Sequence, residues 1–218
     1  YDIFKEVAVR RFCLRQPDSE WRLRLFDRLY PYLSGTARTG SFWRRFFLDA
    51  GEPSDPLFSH LPRFRVTSRI KDLFSREMQG ALEGRDALQD LRDDLPGRFG
   101  AWSALQKTAW LEIETLMSPY LLASQGDRMA MAHGVEGRFP FLDHHLVDFA
   151  SKLPDRSKLR TLSEKDILRR WARDTVPERV RMRRKQPYRA PDVASFFGSA
   201  KPDYLDAVSY THLRAHET

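Results

Sequence analysis

Leu105, Ala109, Ile113 and Leu116 recur at spacings of four, four and three, the period of one face of an α-helix. The competing pattern, strict apolar–polar alternation along a strand, forms no convincing series anywhere in the chain. Other segments repeat the helical period. Trp21, Leu25 and Leu29 follow Asp18, which reads as an N-cap, and Pro31 stops the run. Ile70, Leu73 and Phe74 share a face on a helix expected to start near Thr67. Asp143 reads as the N-cap of a helix carrying Leu146, Val147, Ala150 and Leu153. Ser163 reads as another, with Asp166 as a weak capping-box partner. That helix is expected to turn Ile167, Leu168 and Trp171 inward and to end before Pro177. Pro119 should end or kink the 105–116 helix, with a further helical stretch over Tyr120–Met131. Ser41–Leu48 is short, aromatic-rich and closed by Gly51, while Gly51–Pro62 and Glu83–Gly100 read as linkers. The expected fold class is mostly α.

A chain of 218 residues suffices for one good domain, or a domain with an appendage, and a hydrophobic content of 41% is compatible with a real core. No run approaches the roughly 18 apolar residues of a membrane-spanning helix. Cys13 is the single cysteine, so an internal disulfide is excluded, and it is expected to be a small buried residue in a reducing compartment. The first residue is Tyr and no signal-peptide pattern opens the chain, so the start of the polypeptide is expected upstream. The net charge of +7 is concentrated: residues 154–190 hold thirteen Lys and Arg against five Asp and Glu, which leaves the rest near neutrality. A polyanionic ligand belongs near that segment.

Three stretches carry candidate chemistry. In GDRMAMAHGVEGRFPFLDHHLVDFA, residues 126–150, a lone carboxylate, Glu136, stands among small and apolar residues. Pro140 disfavours helix at Phe139, so a helix should end around Val135 and leave Glu136 on an extended loop. Arg138, two residues on, then points to the same side. Two readings are open: a carboxylate meeting a polar substrate at the edge of a core, or a structural Glu–Arg pair tying the loop down. His144 and His145 diverge by about 100° on a helix and cannot both face one metal ion, so a solvated face is expected there. In RMRRKQPYRAPD, residues 181–192, five basic residues surround a Gln-Pro turn. Phosphate binding, a nucleic-acid contact and a solvated charge run all fit it. The sequence holds no P-loop, GxGxxG, GxSxG or HExxH.

Together and in this order, these segments resemble the glutamine-hydrolysing asparagine synthetases. The family string D-R-x-S/A-M-A-x-x-x-E-x-R-x-P-F-L-D is matched at Asp127, Arg128, Ala130, Met131, Ala132, Glu136, Arg138, Pro140, Phe141, Leu142 and Asp143. SEKDILRR is similar to an E-K-x-L/I-L-R string, and RRKQPYRAPD to an R-x-K-Q-P-Y/F stretch. YDIFK resembles the residues after the family's G-x-G-x-D-E-x-F-x-G-Y loop, and DPLFSHLPRFRVTSRIKDLFS resembles one bacterial branch.

The resemblance implies that residues 1–207 form the helical C-terminal half of an α/β adenine-nucleotide-binding (PP-loop ATP pyrophosphatase-like) synthetase domain. The S-G-G-x-D-S pyrophosphate loop and the N-terminal glutaminase domain lie outside the sequence, and the fragment alone is expected to be inactive. Residues 208–218 (VSYTHLRAHET) read as a non-native tail. The implied reaction is ATP-dependent amidation of the aspartate side chain through a β-aspartyl-adenylate, with ammonia from glutamine. By resemblance Glu136 assists ammonia attack, the apolar residues around it wall the substrate pocket, and the Phe-Pro-Phe turn holds its loop against the core; Lys165 and Lys185 lie near the nucleotide and pyrophosphate, and Arg138, Arg128 and Asp127 shape the site. ATP and Mg2+ are the implied cofactors, with no Mg2+ ligand identifiable. The expected setting is cytoplasmic, with small-molecule partners, no membrane and a homodimer of the full-length polypeptide. The alternatives are an amidotransferase with another acceptor, a basic nucleic-acid-binding helical module, and a catalytically dead interaction domain.

Overall fold

The structure, a computed structural model, describes residues 3–29 and 51–183. Up to Met182 these belong to one unit of the chain, Asp2–Met182; a second, Tyr1 with Arg183–Thr218, lies outside them apart from Arg183. Pro31, the Ser41–Leu48 stretch, most of the 181–192 basic block and the 208–218 tail therefore fall outside the described residues.

The helix Ile3–Arg15 organises the core. Ile3, Glu6, Val7, Arg10 and Cys13 lie three or four residues apart, so they share one face, and all are buried. Ile3 and Val7 pack on Phe58, with Phe4 and Ala104 beside them. Val9 and Cys13 pack on Leu29, supported by Phe12, Leu25, Phe26 and Leu162. Cys13 is a free, buried thiol, and burial pushes its pKa up. A third cluster joins Leu57, Leu61, Phe99 and Leu111, flanked by Leu88, Leu91, Leu95, Trp102 and Trp110.

The helix Trp21–Leu29 forms where its spacing predicts, but the Ser19 hydroxyl, not Asp18, accepts the Trp21 N–H, at 3.3 Å. Leu29 is fully buried while Trp21 is 54% exposed, so only the C-terminal end of that face packs.

Both expected linkers send side chains into the core. In Gly51–Pro62, Leu57, Phe58, Ser59 and His60 are buried. Asp55 shapes the turn: its carboxylate accepts the Leu57 N–H at 2.8 Å and meets Arg92 at 3.3 Å. Pro62 occupies the first turn of the helix Leu61–Thr67, where no intrahelical N–H is required. That helix therefore starts at Leu61 instead of near Thr67, and Ile70 and Leu73 end up exposed on the tighter Ser68–Leu73 winding. In Glu83–Gly100, Asp86 caps the helix Ala87–Asp93 by accepting the Leu88 N–H at 2.9 Å, and leucines at helical spacing carry that helix into the third cluster.

The helix Ala104–Glu112 opens with a reciprocal capping box between Ser103 and Gln106. Its buried face runs through Thr108 and Leu111 and leaves Ile113 exposed, so it is rotated from the face that Leu105, Ala109 and Ile113 predict. Pro119 neither ends nor breaks the winding beyond this helix. Ile113–Asp127 runs continuously as a π-helix through the proline and passes into the helix Arg128–Ala132. In an α-helix the proline would remove a hydrogen bond and its ring would strike the carbonyl four residues back; here the chain winds i→i+5 instead.

The helix His144–Lys152 begins at Asp143 as expected. Beyond it, Leu159–Arg160 and Ser163–Glu164 pair antiparallel, Leu159 opposite Glu164 and Arg160 opposite Ser163, and these are the only strands among the described residues. Ser163 thus sits in a ladder and does not cap a helix. The helix Asp166–Trp171 starts from Lys165, whose φ of 55° turns the chain. Leu168 and Trp171 are 39% and 76% exposed, against the expected inward face. The mostly helical expectation holds, and the parallel α/β portion has no counterpart among the described residues.

One corner of the core is charged. Arg63 donates to the buried Glu6 carboxylate at 2.8 Å. Arg10, fully buried, donates to the Phe58 carbonyl at 2.8 Å, and its guanidinium lies 4.0 Å from the centre of the Phe58 ring. Burial lowers the Arg10 pKa to about 10, against the opposing pull of Glu6. His60 is buried, with Nδ1 at 2.8 Å from the Ser59 hydroxyl and Nε2 at 3.6 Å from Glu112. Glu112 favours the imidazolium, but burial, helped by Arg63, prevails and brings the His60 pKa down to about 3.

Two outcomes are expected. Leu111→Ala, at the centre of the third cluster, should cost about 3 kcal/mol in urea denaturation, because the cavity it leaves is walled by rigid aromatic rings. His60 sets a pH dependence. Between about 3 and 6.5 the unfolded chain holds a proton on His60 that the folded chain does not. Its contribution to stability is whole above that window and declines as pH falls through it, by at most about 1.4 kcal/mol per pH unit. Unfolding curves at pH 7 and pH 5 should differ less for His60→Gln than for the parent chain; equal differences would refute the assignment.

Candidate active site

Residues 126–150 build a helix–loop–helix. The helix Arg128–Ala132 ends on His133 and Gly134, whose φ of 65° suits glycine and turns the chain into an extended loop. Glu136 follows, as expected, just past the helix end. Its carboxylate meets the Arg138 guanidinium at 2.8 Å, with both side chains largely exposed. The two therefore share a side, as alternation requires. Gly137 lets the Phe139 ring fold back: a Cβ there would lie 2.8 Å from the ring. Pro140–Leu142 form one tight turn, and Asp143 accepts the N–H groups of His145 and Leu146 at 3.0 and 3.1 Å.

The surroundings of Glu136 differ from the expectation. Met131, Val135, Phe139 and Phe141 are 74%, 57%, 49% and 70% exposed, so they form no pocket wall. The Phe-Pro-Phe turn consequently does not press the loop onto the core. Asp127 closes the π-helical segment and Arg128 opens the next helix; both are exposed, and neither joins the Glu136–Arg138 pair. Lys165 is exposed at the left-handed junction before Asp166–Trp171. Its neighbour Glu164 meets Lys5 at 3.6 Å, which ties the short hairpin to the first helix. Lys185 lies outside the described residues. Of the six predicted site residues, then, Glu136 and Arg138 are brought together and the other described three are not.

No group of three or more His, Cys, Asp or Glu suited to a metal ion occurs among the described residues. The rings of His144 and His145 lie 3.8 Å apart, closer than helical divergence suggests, and on an exposed face. No helix among the described residues is long and apolar enough to cross a membrane. The buried Glu6, Arg10 and His60, with the half-buried Arg63 beside them, escaped sequence reasoning, because charged residues in a mixed-charge helix read as solvated.

Comparison with known proteins decides the family. A family model described as asparagine synthase matches residues 15–217, nearly the whole chain. The chain belongs to the asparagine synthase family. A glutamine-hydrolysing asparagine synthetase 1 of Bacillus subtilis is 37% identical over 91 residues, 42% of this chain and 14% of that protein. Two fungal relatives are named as amidases. Amidase chry2 of Gibberella zeae is 32% identical over 116 residues, 50% of this chain and 16% of the relative. Amidase chyE of Penicillium rubens is 30% identical over 132 residues, 58% of this chain and 18% of the relative. The chain thus spans less than a fifth of the length of each of these relatives. No solved structure matches it.

The geometry of this family segment rests on its cap. Asp143→Ala should cost about 1 kcal/mol and speed amide hydrogen exchange at His145 and Leu146, read by NMR. Unchanged exchange would mean that the Asp143 cap does not hold the loop.

Proposed function

We propose that the chain is part of a cytoplasmic synthetase that amidates the aspartate side-chain carboxylate, using ATP and ammonia released from glutamine. The observation that supports this most directly is the Glu136–Arg138 pair at 2.8 Å, presented on a loop inside the segment that carries the family string.

The chemistry needs these groups. A carboxylate is a poor electrophile, and transfer of AMP to it, with release of pyrophosphate, supplies a leaving group. Ammonia then attacks the acyl carbon: a C–N bond forms, the C–O bond to AMP breaks, and AMP leaves with the electron pair. The nitrogen must shed a proton as it attacks, and in this reading Glu136 accepts it. Arg138 aims that carboxylate through one oxygen, leaving the other side to the substrate. Lys165 and Lys185 would offset the charge that builds on phosphate oxygens during adenylation. Arg128 and Asp127, on the adjoining helix end, would shape the site once substrate is bound. Mg2+, when bound, would screen the triphosphate charge; none of the described residues is assigned as its ligand.

The test uses the native gene product. Glu136→Gln should lower asparagine formation about 100-fold or more, while aspartate-dependent pyrophosphate release stays near the parent rate. Loss of neither activity would remove Glu136 from the mechanism. The two amidases among the relatives favour a second reading, an amidotransferase with another acceptor. Pyrophosphate release that depends on a different carboxylic acid and not on aspartate would select it.

A further inference from the structure

Away from the Glu136 loop, one cleft is built into the helical core. The helix Ile3–Arg15, the start of the helix Ala104–Glu112, and Asp155 with Leu159 line an open cleft of about 680 Å³. Sites for small organic ligands fall at about 300–1,000 Å³, with an apolar lining and few charged groups. This lining has that character. Phe4, Phe12 and Leu105 contribute apolar surface, and the short side chain of Ala8 leaves space that a larger residue would fill.

The charges in the lining are specific. Arg11 and Arg15 lie one turn apart on the same helix face. Arg11 donates to the Pro53 carbonyl at 3.4 Å, which holds its guanidinium in place. Neither arginine has an ion-pair partner among the described residues. Asp155 is the one carboxylate of the lining, and it disfavours a ligand charged along its whole length. A single anionic head with an apolar body satisfies all three conditions.

We propose that this cleft binds an amphipathic organic anion, a carboxylate carrying an aliphatic chain or ring, with its head at Arg11 and Arg15. The site shares no residue with those assigned to amidation, so it stands or falls apart from that reading.

Octanoate and the uncharged octan-1-ol are the probes, titrated calorimetrically into the 218-residue chain. Octanoate should bind saturably at one site, about tenfold more tightly than octan-1-ol. Arg15 is exposed, so Arg15→Gln should leave the fold intact, checked by its melting curve. It should weaken octanoate about tenfold and leave octan-1-ol unchanged. Arg15→Lys, which keeps the charge, should bind octanoate within about threefold of the parent. Three results would overturn the proposal: no saturable octanoate binding, equal affinity for the two probes, or full affinity in Arg15→Gln. Equal affinity would point to the exposed apolar residues around Glu136 as the binding surface.

Discussion

Arg63 reaches the buried Glu6 carboxylate at 2.8 Å, and the arrangement of the first helix depends on that contact. A buried charge is tolerated only when paired and hydrogen-bonded. Glu6 and Arg10 therefore admit few rotations of the helix Ile3–Arg15, and the same rotation presents Ile3 and Val7 to Phe58. Arg10 adds a second tie, through the Phe58 carbonyl and ring. Helix and 57–67 segment are thus joined by polar contacts with strict geometry, and the apolar clusters fill in around them. An apolar substitute of equal free energy for the Glu6–Arg63 pair would not fix the rotation so narrowly.

Some local signals in the sequence proved legible, while burial, which is nonlocal, did not. Asp143 caps its helix because a carboxylate reaches N–H groups two and three residues away whatever the rest of the chain does. The end of the helix before Glu136 was legible through Gly134 and Pro140 for the same reason. Pro119 misled because its penalty holds for α-winding, and the chain winds differently there. Gly51–Pro62 misled because prolines report backbone freedom, whereas the burial of Leu57 and Phe58 is decided by partners far along the chain. Ser163 misled because a serine serves a cap and a strand equally well.

For the candidate site the division is similar. The Glu136–Arg138 pair was foreseeable from a two-residue spacing and is present. Its apolar neighbours were expected to enclose it, and they stand exposed instead, Met131 and Phe141 most of all. Family membership rests on the order of motifs along the chain, which is a one-dimensional property. Enclosure is three-dimensional, and no spacing rule encodes which surface a side chain meets.

Cys13 is buried against Val9 and Leu29, and its thiol is held in the neutral form by that burial. Only the thiolate is an effective nucleophile, so the folded chain is slow to react with alkylating reagents. Since it is the sole sulfhydryl, every modification event records a moment when the first and second helices have parted. The protein carries its own clock for the opening of its core, placed where the two helices meet.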